Sequence, residues 1–196
     1  MSQLVCNITW LIVLGGLSSA SAADLYEVDS VHSSVVFRIR HLNVSYAYGR
    51  FNDISGQFMF DEADPAKSRI DVSVKVESID TANTDRDKHL KSAEFFNVAE
   101  HPTIAFKSSR VEKLADNKYR AEGELTLMGV TKPLTVELER VGSVDHPKLG
   151  ARSGFETVFT IKRGDFGLNA AAGMLGEDVR LMVSIEGVRA QKPGPN

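Results

Sequence analysis

The sequence contains very little cysteine and carries almost no net charge. Its 196 residues include one Cys, and 23 Lys and Arg against 26 Asp and Glu give a formal net charge of −3. A chain this close to neutral lacks the basic stripe of a nucleic-acid-binding protein, so no nucleic-acid partner is expected. The single cysteine, Cys6, lies near the N-terminus. The rest of the chain therefore cannot form a disulfide, a cysteine metal site or a thiol nucleophile.

The apolar run near the N-terminus, residues 8–17, is too short to cross a membrane, which takes about twenty apolar residues. It is followed by the small residues Ala20-Ser21-Ala22. This pattern favours a secretory signal peptide cleaved before Ala23 over a membrane anchor, although no Lys or Arg precedes the run. We predict a signal peptide over residues 1–22, one domain over residues 23–190 and a disordered tail over residues 191–196.

Several catalytic signatures are missing as well. No HExxH zinc helix, GxSxG elbow, P-loop or GxGxxG turn after a strand is found. A set of polar residues in two segments nevertheless provides acids, bases and a cation: Asp29, His32, His41, Arg86, Asp87 and His89. They are interpreted first as an ion-paired network that pins a helix to a barrel rim. Contact with a ligand head group and catalysis remain as alternatives, and no metal site is predicted.

The dominant pattern of the chain is strict alternation of apolar and polar residues. In residues 69–77, RIDVSVKVE, the valines and isoleucine lie on one face and the polar residues on the other, as in a half-buried strand. The same alternation recurs often enough to predict about eight strands. Because the outward faces are charged, no helical layer is expected over them. The apolar faces must therefore meet as a sandwich or a closed antiparallel barrel.

Two segments interrupt this pattern. Residues 84–92, TDRDKHLKS, begin with Thr84 as a candidate N-cap and have acids in the first turn, which favours a short helix. Phe95 and Phe96 follow and are expected to close one end of the barrel by packing. The second segment, residues 169–178, is small and glycine-containing. Each segment is interpreted either as a lid over a ligand entrance or as a plug that keeps water out.

Four motifs resemble the YceI-like family, in the order that the family shows. They are LYEVDSVHSSVVFRIRHLNVSYAYGRF from residue 25, TDRDKHLKSAEFFN from residue 84, GELTLMGVTKPLTV from residue 123 and RGDFGL from residue 163. The resemblance implies an all-β, antiparallel, lipocalin-like barrel with one or two short helices. It also implies an elongated apolar pore that holds an isoprenoid chain, and export to the periplasm. No catalytic residues are shared across the family, so the chain is not expected to be an enzyme and needs no cofactor.

We therefore predict a periplasmic carrier of an isoprenoid lipid or isoprenoid quinone. Transient contact with the membrane or with a membrane electron-transfer protein, and a homodimer, are further partners left open. The alternatives are an enzyme that modifies a lipid head group through His32, Asp87 and His89, and a stress-related interaction module whose barrel is filled. The predicted pore lining consists of the inward positions of the strands, Phe37, Ile39, Val72, Val74, Phe106, Leu125, Leu127, Phe159 and Leu181.

Overall fold

The computed structural model describes residues 23–190. The predicted signal peptide and C-terminal tail lie outside the described residues, so both stay predictions. Within residues 23–190, none of the helices has the length and apolar character that a membrane crossing requires.

Antiparallel strands account for most of the described chain. One α-helix, α1 (Thr84–Lys91), and three 3-10 helices (Pro65–Lys67, Val76–Ser78 and Arg163–Phe166) lie between them. The strands are β1 (Asp24–Val28), β2 (Ser34–His41), β3 (Ser45–Phe51), β4 (Ile54–Phe60), β5 (Arg69–Lys75), β6 (Ile79–Asp80), β7 (Thr103–Ala115), β8 (Lys118–Leu127), β9 (Val130–His146), β10 (Gly150–Lys162) and β11 (Leu175–Arg189).

The eleven segments form a closed barrel of eight strands, because each of the first three barrel strands is interrupted and consists of two segments. β1 and β2 are two parts of the first strand, and they pair with β4 and β3 of the second. β5 and β6 form the third strand and pair with β4 and β3 in the same way. The remaining strands follow in chain order, and β11 closes the barrel by pairing with both β1 and β2. The predicted all-β antiparallel barrel with a short helix is confirmed.

The alternation in the sequence explains the barrel wall. Along β8, Tyr119, Ala121, Leu125 and Leu127 are buried inside. Glu122 and Glu124 alternate with them and are not buried. The charged residues of neighbouring strands pair across the outer surface, as Lys107 does with Asp71 at 3.3 Å. A strand with one apolar and one charged face is therefore stable only when its apolar face closes on others of the same kind.

Three local features depart from the simple strand and helix patterns of the sequence. The segment SYAYGRF is strand β3, whose alternation is weak because Ala47 and Gly49 are its small inward residues. The helix is capped by Asn83 rather than Thr84, since the Asn83 side chain accepts a hydrogen bond from the Arg86 amide at 2.9 Å. The turn between β8 and β9 spans only Met128 and Gly129, both with positive φ, because β9 starts at Val130.

The two ends of the barrel differ in how densely they are packed. One end is filled by an aromatic cluster in which Phe60 meets Tyr119 and Phe155 edge to face, with ring centroids 5.2 and 5.0 Å apart. Tyr26 stacks on Phe58 in the same cluster, at 5.0 Å. Arg140 covers this end from outside, with its guanidinium 5.0 Å from the Phe60 ring centroid. The other end lies beneath α1 and residues 169–175 and contains open space.

Candidate functional site: an apolar cavity along the barrel

Two cavities occupy the barrel interior one behind the other. The inner cavity has a volume of about 140 Å³ and lies above the aromatic cluster. The outer cavity has a volume of about 890 Å³ and extends to the end covered by α1. Ile104, Leu125 and Leu181 line both cavities and therefore mark the junction between them. Along β8 the cavities span Tyr119 to Leu127, a path of about 26 Å at roughly 3.3 Å per residue.

The inner cavity is almost entirely hydrocarbon and aromatic in character. Its wall combines inward residues of β4, β5, β7, β8, β9, β10 and β11, including Val72, Val74, Phe106 and Phe159. An apolar cavity of about 150 Å³ in another protein stays dry and binds a benzene-sized molecule. The inner cavity can therefore accept the tip of an apolar chain, and the greater part of any long ligand must lie in the outer cavity.

The outer cavity is apolar in its depth and polar at its mouth. Phe37, Ile39 and Leu127 line its deeper part. Tyr48, Thr81, Arg86 and His89 line it as well, together with His41 of β2. Small-molecule sites are usually apolar cavities with a few placed polar groups. Because the polar groups of this cavity are grouped at one end, its layout suits a ligand with a polar head and an apolar tail.

The structure places all nine predicted lining residues against one cavity or the other. Phe37, Ile39 and Leu127 line the outer cavity; Val72, Val74, Phe106 and Phe159 line the inner one; Leu125 and Leu181 line both. These positions follow the period-two alternation of the strands, because every inward position of a closed barrel faces the interior. Met174 and Ala171 also line the outer cavity. They were not among the nine predicted lining residues because the loop before β11 has no such period, although the segment 169–178 that contains them was interpreted as a lid or a plug.

The mouth is shaped by α1 and the residues that follow it. Thr81 connects the helix to β6, since its amide and hydroxyl both donate to the Asp87 carboxylate, at 2.8 and 2.5 Å. Arg86 donates to the Thr81 carbonyl at 2.6 Å. Phe96 then packs inward, with its ring edge against Phe51 at a centroid distance of 6.0 Å. The helix is thus anchored by charge-assisted hydrogen bonds, which are stronger than neutral ones.

Arg163 holds the opposite side of the mouth. Its side chain is only 3% exposed, and its guanidinium donates to the carbonyls of Leu168, Ala170 and Gly176 at 2.6, 2.7 and 3.0 Å. A planar fork with five donors suits this task, because several carbonyls of one loop converge on it. The RGDFGL motif therefore builds the loop wall of the outer cavity, a role that spacing alone did not reveal.

The six polar candidates do not form the single rim network that the sequence suggested. Asp29 and His32 lie at the break between β1 and β2, where Arg152 donates to Asp29 at 2.8 Å and also contacts Glu186. Arg152 and His32 hold the pKa of the Asp29 carboxyl well below its usual range. Arg86, His89 and His41 instead line the outer cavity, while Asp87 is engaged with Thr81. The three residues named for a head-group-modifying enzyme are consequently split between two places.

His89 has an exposed partner rather than a buried one. Its Nε2 atom lies 2.7 Å from a Glu94 carboxylate oxygen, and both side chains are more than half exposed. The ring also meets Phe95 edge to face, with centroids 4.8 Å apart. The pair is positioned to contact a polar head group at the mouth, because Glu94 and His89 both line the outer cavity.

Comparison with known proteins identifies the fold and the family. A YceI-like domain model matches residues 26–187. The chain is 41% identical to Protein YceI of Escherichia coli O6:H1, over 96% of this chain and 99% of that protein.

Two solved structures show the same fold. The structure of BcnA from Burkholderia cenocepacia superimposes with a TM-score of 0.74 at 22% identity, covering 81% of this chain and 98% of BcnA. A polyisoprenoid binding domain from Saccharophagus degradans gives a TM-score of 0.63 at 13% identity, over 84% and 98% of the two chains. The domain model and the identity to Protein YceI span nearly the whole described chain, and this chain therefore belongs to the YceI-like family.

Proposed function

We propose that this protein is a carrier that encloses the apolar tail of an isoprenoid lipid or isoprenoid quinone in its barrel. The observation that supports the proposal best is the pair of connected apolar cavities, which narrow from a polar mouth to an aromatic floor. The polyisoprenoid-binding domain of S. degradans shares the fold, and this likeness agrees with such a ligand.

The driving force for loading is the transfer of the tail out of water. Each buried CH₂ contributes about 0.8 kcal/mol, so a tail of several isoprene units gains many times this amount, reduced by the cost of ordering the chain. The apolar wall has no hydrogen-bond pattern that could select a particular tail. Selectivity for the tail is therefore expected to be loose, and any selectivity for a head group would come from Arg86, His89 and Glu94 at the mouth.

The carrier is proposed to work in the periplasm, where a water-soluble barrel can shield an apolar tail between membranes. The signal-like segment 1–22 supports this location. A binding role also accounts for the polar candidates better than catalysis does, since Asp29, Arg86 and Asp87 are each engaged in structural hydrogen bonds. The filled-barrel alternative fits only the end occupied by the aromatic cluster.

The test is a titration of lipid-free protein with isoprenoid quinones of increasing tail length and with the bare quinone head group. The carrier predicts affinity that rises with each added isoprene unit and then levels off when the tail reaches the aromatic cluster. Quinones with different rings and the same tail should bind with similar affinity. Binding that is independent of tail length, or no binding by folded protein, would refute the proposal.

A further inference from the structure

A group of arginines without acidic partners lies on the outer surface next to the mouth. Arg38 and Arg40 project outward from β2, and Arg180 from β11 is the cross-strand neighbour of Arg38. No carboxylate of residues 23–190 lies within ion-pair distance of these three side chains. Every other arginine in that range contacts a carboxylate or a backbone carbonyl. We call Arg38, Arg40 and Arg180, together with Tyr46, the arginine face.

The arginine face costs stability in the isolated protein. Like charges directly opposite each other on neighbouring strands repel, and Arg38 and Arg180 stand in that relation. The Nε atom of Arg38 is also buried without an acceptor, and the central carbon of the same guanidinium lies 4.3 Å from the Tyr46 ring centroid. Hydrogen bonding from Arg40 and the nearby arginine charges lower the pKa of Tyr46. This surface therefore has an excess of positive charge on a chain whose net charge is negative.

The arginine face is continuous with the entrance of the outer cavity. Tyr46 lines both the outer cavity and a shallow groove of about 360 Å³ in which the three arginines meet. Glu177 and Asp178 border this groove too, but Glu177 faces Arg163 at 3.5 Å, which leaves Asp178 as the nearest unpaired acid. An anionic partner seated on the groove would thus lie beside the mouth.

Exposed apolar residues adjoin the arginine face. The turn between β2 and β3 carries Leu42 and Val44, which are 50% and 82% exposed. The Leu42 amide donates to the Met174 carbonyl at 2.7 Å, so the turn and the loop before β11 form one rim. Met174 is itself half exposed. Arginine, tyrosine and apolar residues in one patch match the boundary between phosphate head groups and hydrocarbon in a membrane.

We propose that the arginine face and the rim of Leu42, Val44 and Met174 dock this protein onto an anionic phospholipid surface, with the mouth towards the bilayer. The inference rests on the proposed carrier function, for which it supplies the route of loading and release. The guanidinium groups pair with lipid phosphates, for which their planar donors are well suited. The apolar rim enters the interface and brings the outer cavity next to the lipid tails. A phospholipid surface fits better than an acidic protein, because a charged partner alone would leave the apolar rim exposed.

The experiment is flotation of the exported, lipid-loaded protein with two kinds of vesicle. One contains phosphatidylcholine alone, and in the other part of it is replaced by phosphatidylglycerol. The protein should float with the anionic vesicles and not with the neutral ones, and high salt should release it, since screening shortens the range of surface charges to about 3 Å at 1 M. The triple variant Arg38→Gln, Arg40→Gln, Arg180→Gln should bind roughly a hundredfold more weakly, because each arginine near an anionic surface contributes about a factor of five.

The matched control is Lys107→Gln, Arg110→Gln, Lys113→Gln. It removes the same charge from exposed positions of β7 on the opposite wall of the barrel, and it should float like the wild type. Equal loss of binding in both triple variants, or no binding of wild type to anionic vesicles, would overturn docking. Bound lipid is measured in the same samples. Lipid retained by the arginine variant would leave the carrier function intact, whereas wild type that floats but never contains lipid would contradict the carrier and not the docking.

Discussion

Leu125 occupies the position where a single substitution separates a ligand pore from a filled core. It is 6% exposed, and it lines both cavities at their junction. We expect Leu125→Trp to place its larger ring in the space between the cavities. The ring would block the path to the inner cavity, so the protein should remain folded and lose its bound lipid.

The magnitude follows from the available space. Extra bulk in a well-packed core costs about 1–3 kcal/mol. At Leu125 the outer cavity of about 890 Å³ can accommodate the ring, so the cost should stay below about 1 kcal/mol. For a domain of this size, 1 kcal/mol corresponds to a change in Tm of about 2–4 °C. The melting temperature should therefore fall by no more than about 4 °C.

Ala121 provides the matched control, because it lies on the same face of β8 and is completely buried among the aromatic residues. Ala121→Leu adds bulk at a buried position that lines neither cavity. It should lower the free energy of unfolding by about 1–3 kcal/mol, and bound lipid should be retained. The assay is thermal melting combined with extraction and mass analysis of lipid from proteins purified identically. If Leu125→Trp destabilises as strongly as Ala121→Leu, or if it retains the lipid, the interior is not a pore as described.

Four further outcomes are expected. Asp29→Asn should lower the free energy of unfolding by about 1–3 kcal/mol. It should also make stability depend less on pH in the acid range. The lowered pKa of Asp29 gives stabilisation that is full above its unfolded pKa of about 3.9 and is lost as pH falls further. Arg163→Lys should cost about 1–3 kcal/mol and reduce hydrogen-exchange protection over residues 168–176, since an ammonium cannot satisfy all the carbonyls. His89→Ala should change the free energy of unfolding by less than about 1 kcal/mol, as its partner is exposed. The intact mass of the exported protein should correspond to a chain that starts at Ala23 and has no reactive thiol.

Each of these outcomes has a direct contradiction. A pH-stability curve of Asp29→Asn that parallels the wild type would show that the carboxylate of Asp29 contributes nothing through Arg152. Unchanged hydrogen exchange in Arg163→Lys would show that Arg163 does not hold the loop. Arg69→Lys, at an exposed side chain, is the control for the replacement of a guanidinium by an ammonium group. A loss of several kcal/mol in His89→Ala would indicate a buried partner. A full-length species extracted only by detergent would favour the membrane anchor.

Much of the barrel could be predicted from the sequence because its physical cause is local. Val72 and Val74 alternate with charged or polar neighbours, and in a closed barrel this alternation determines which side faces inward. Strand β3, the first part of the second barrel strand, could not be found in this way. In β3, Tyr46 and Tyr48 are 44% and 54% exposed, whereas the small residues Ala47 and Gly49 face inward, so the usual pattern of large apolar residues on the inner face is reversed. Gly49 is required there because the Phe37 ring packs against its Cα, a contact between neighbouring strands that no short window reveals.

The site was predicted less completely, since it depends on contacts distant in the sequence. Asp29 and Arg152 are far apart along the chain and meet only because β11 pairs with both β1 and β10. Arg163 was noted only as part of a motif, and its role emerges from carbonyls of a loop that has no regular period. Both cases involve hydrogen bonds that the closure of the barrel brings together. Alternation in the sequence predicts which face of a strand a residue occupies, whereas its hydrogen-bond partners can be identified only from the fold.

Native mass spectrometry of wild-type protein purified from its own host tests the central claim most directly. The account predicts a folded species heavier than the polypeptide by the mass of one isoprenoid lipid or quinone, which dissociates on activation and is absent from Leu125→Trp. A folded wild type that carries no such mass, and that gains none when incubated with an isoprenoid quinone, would contradict the carrier.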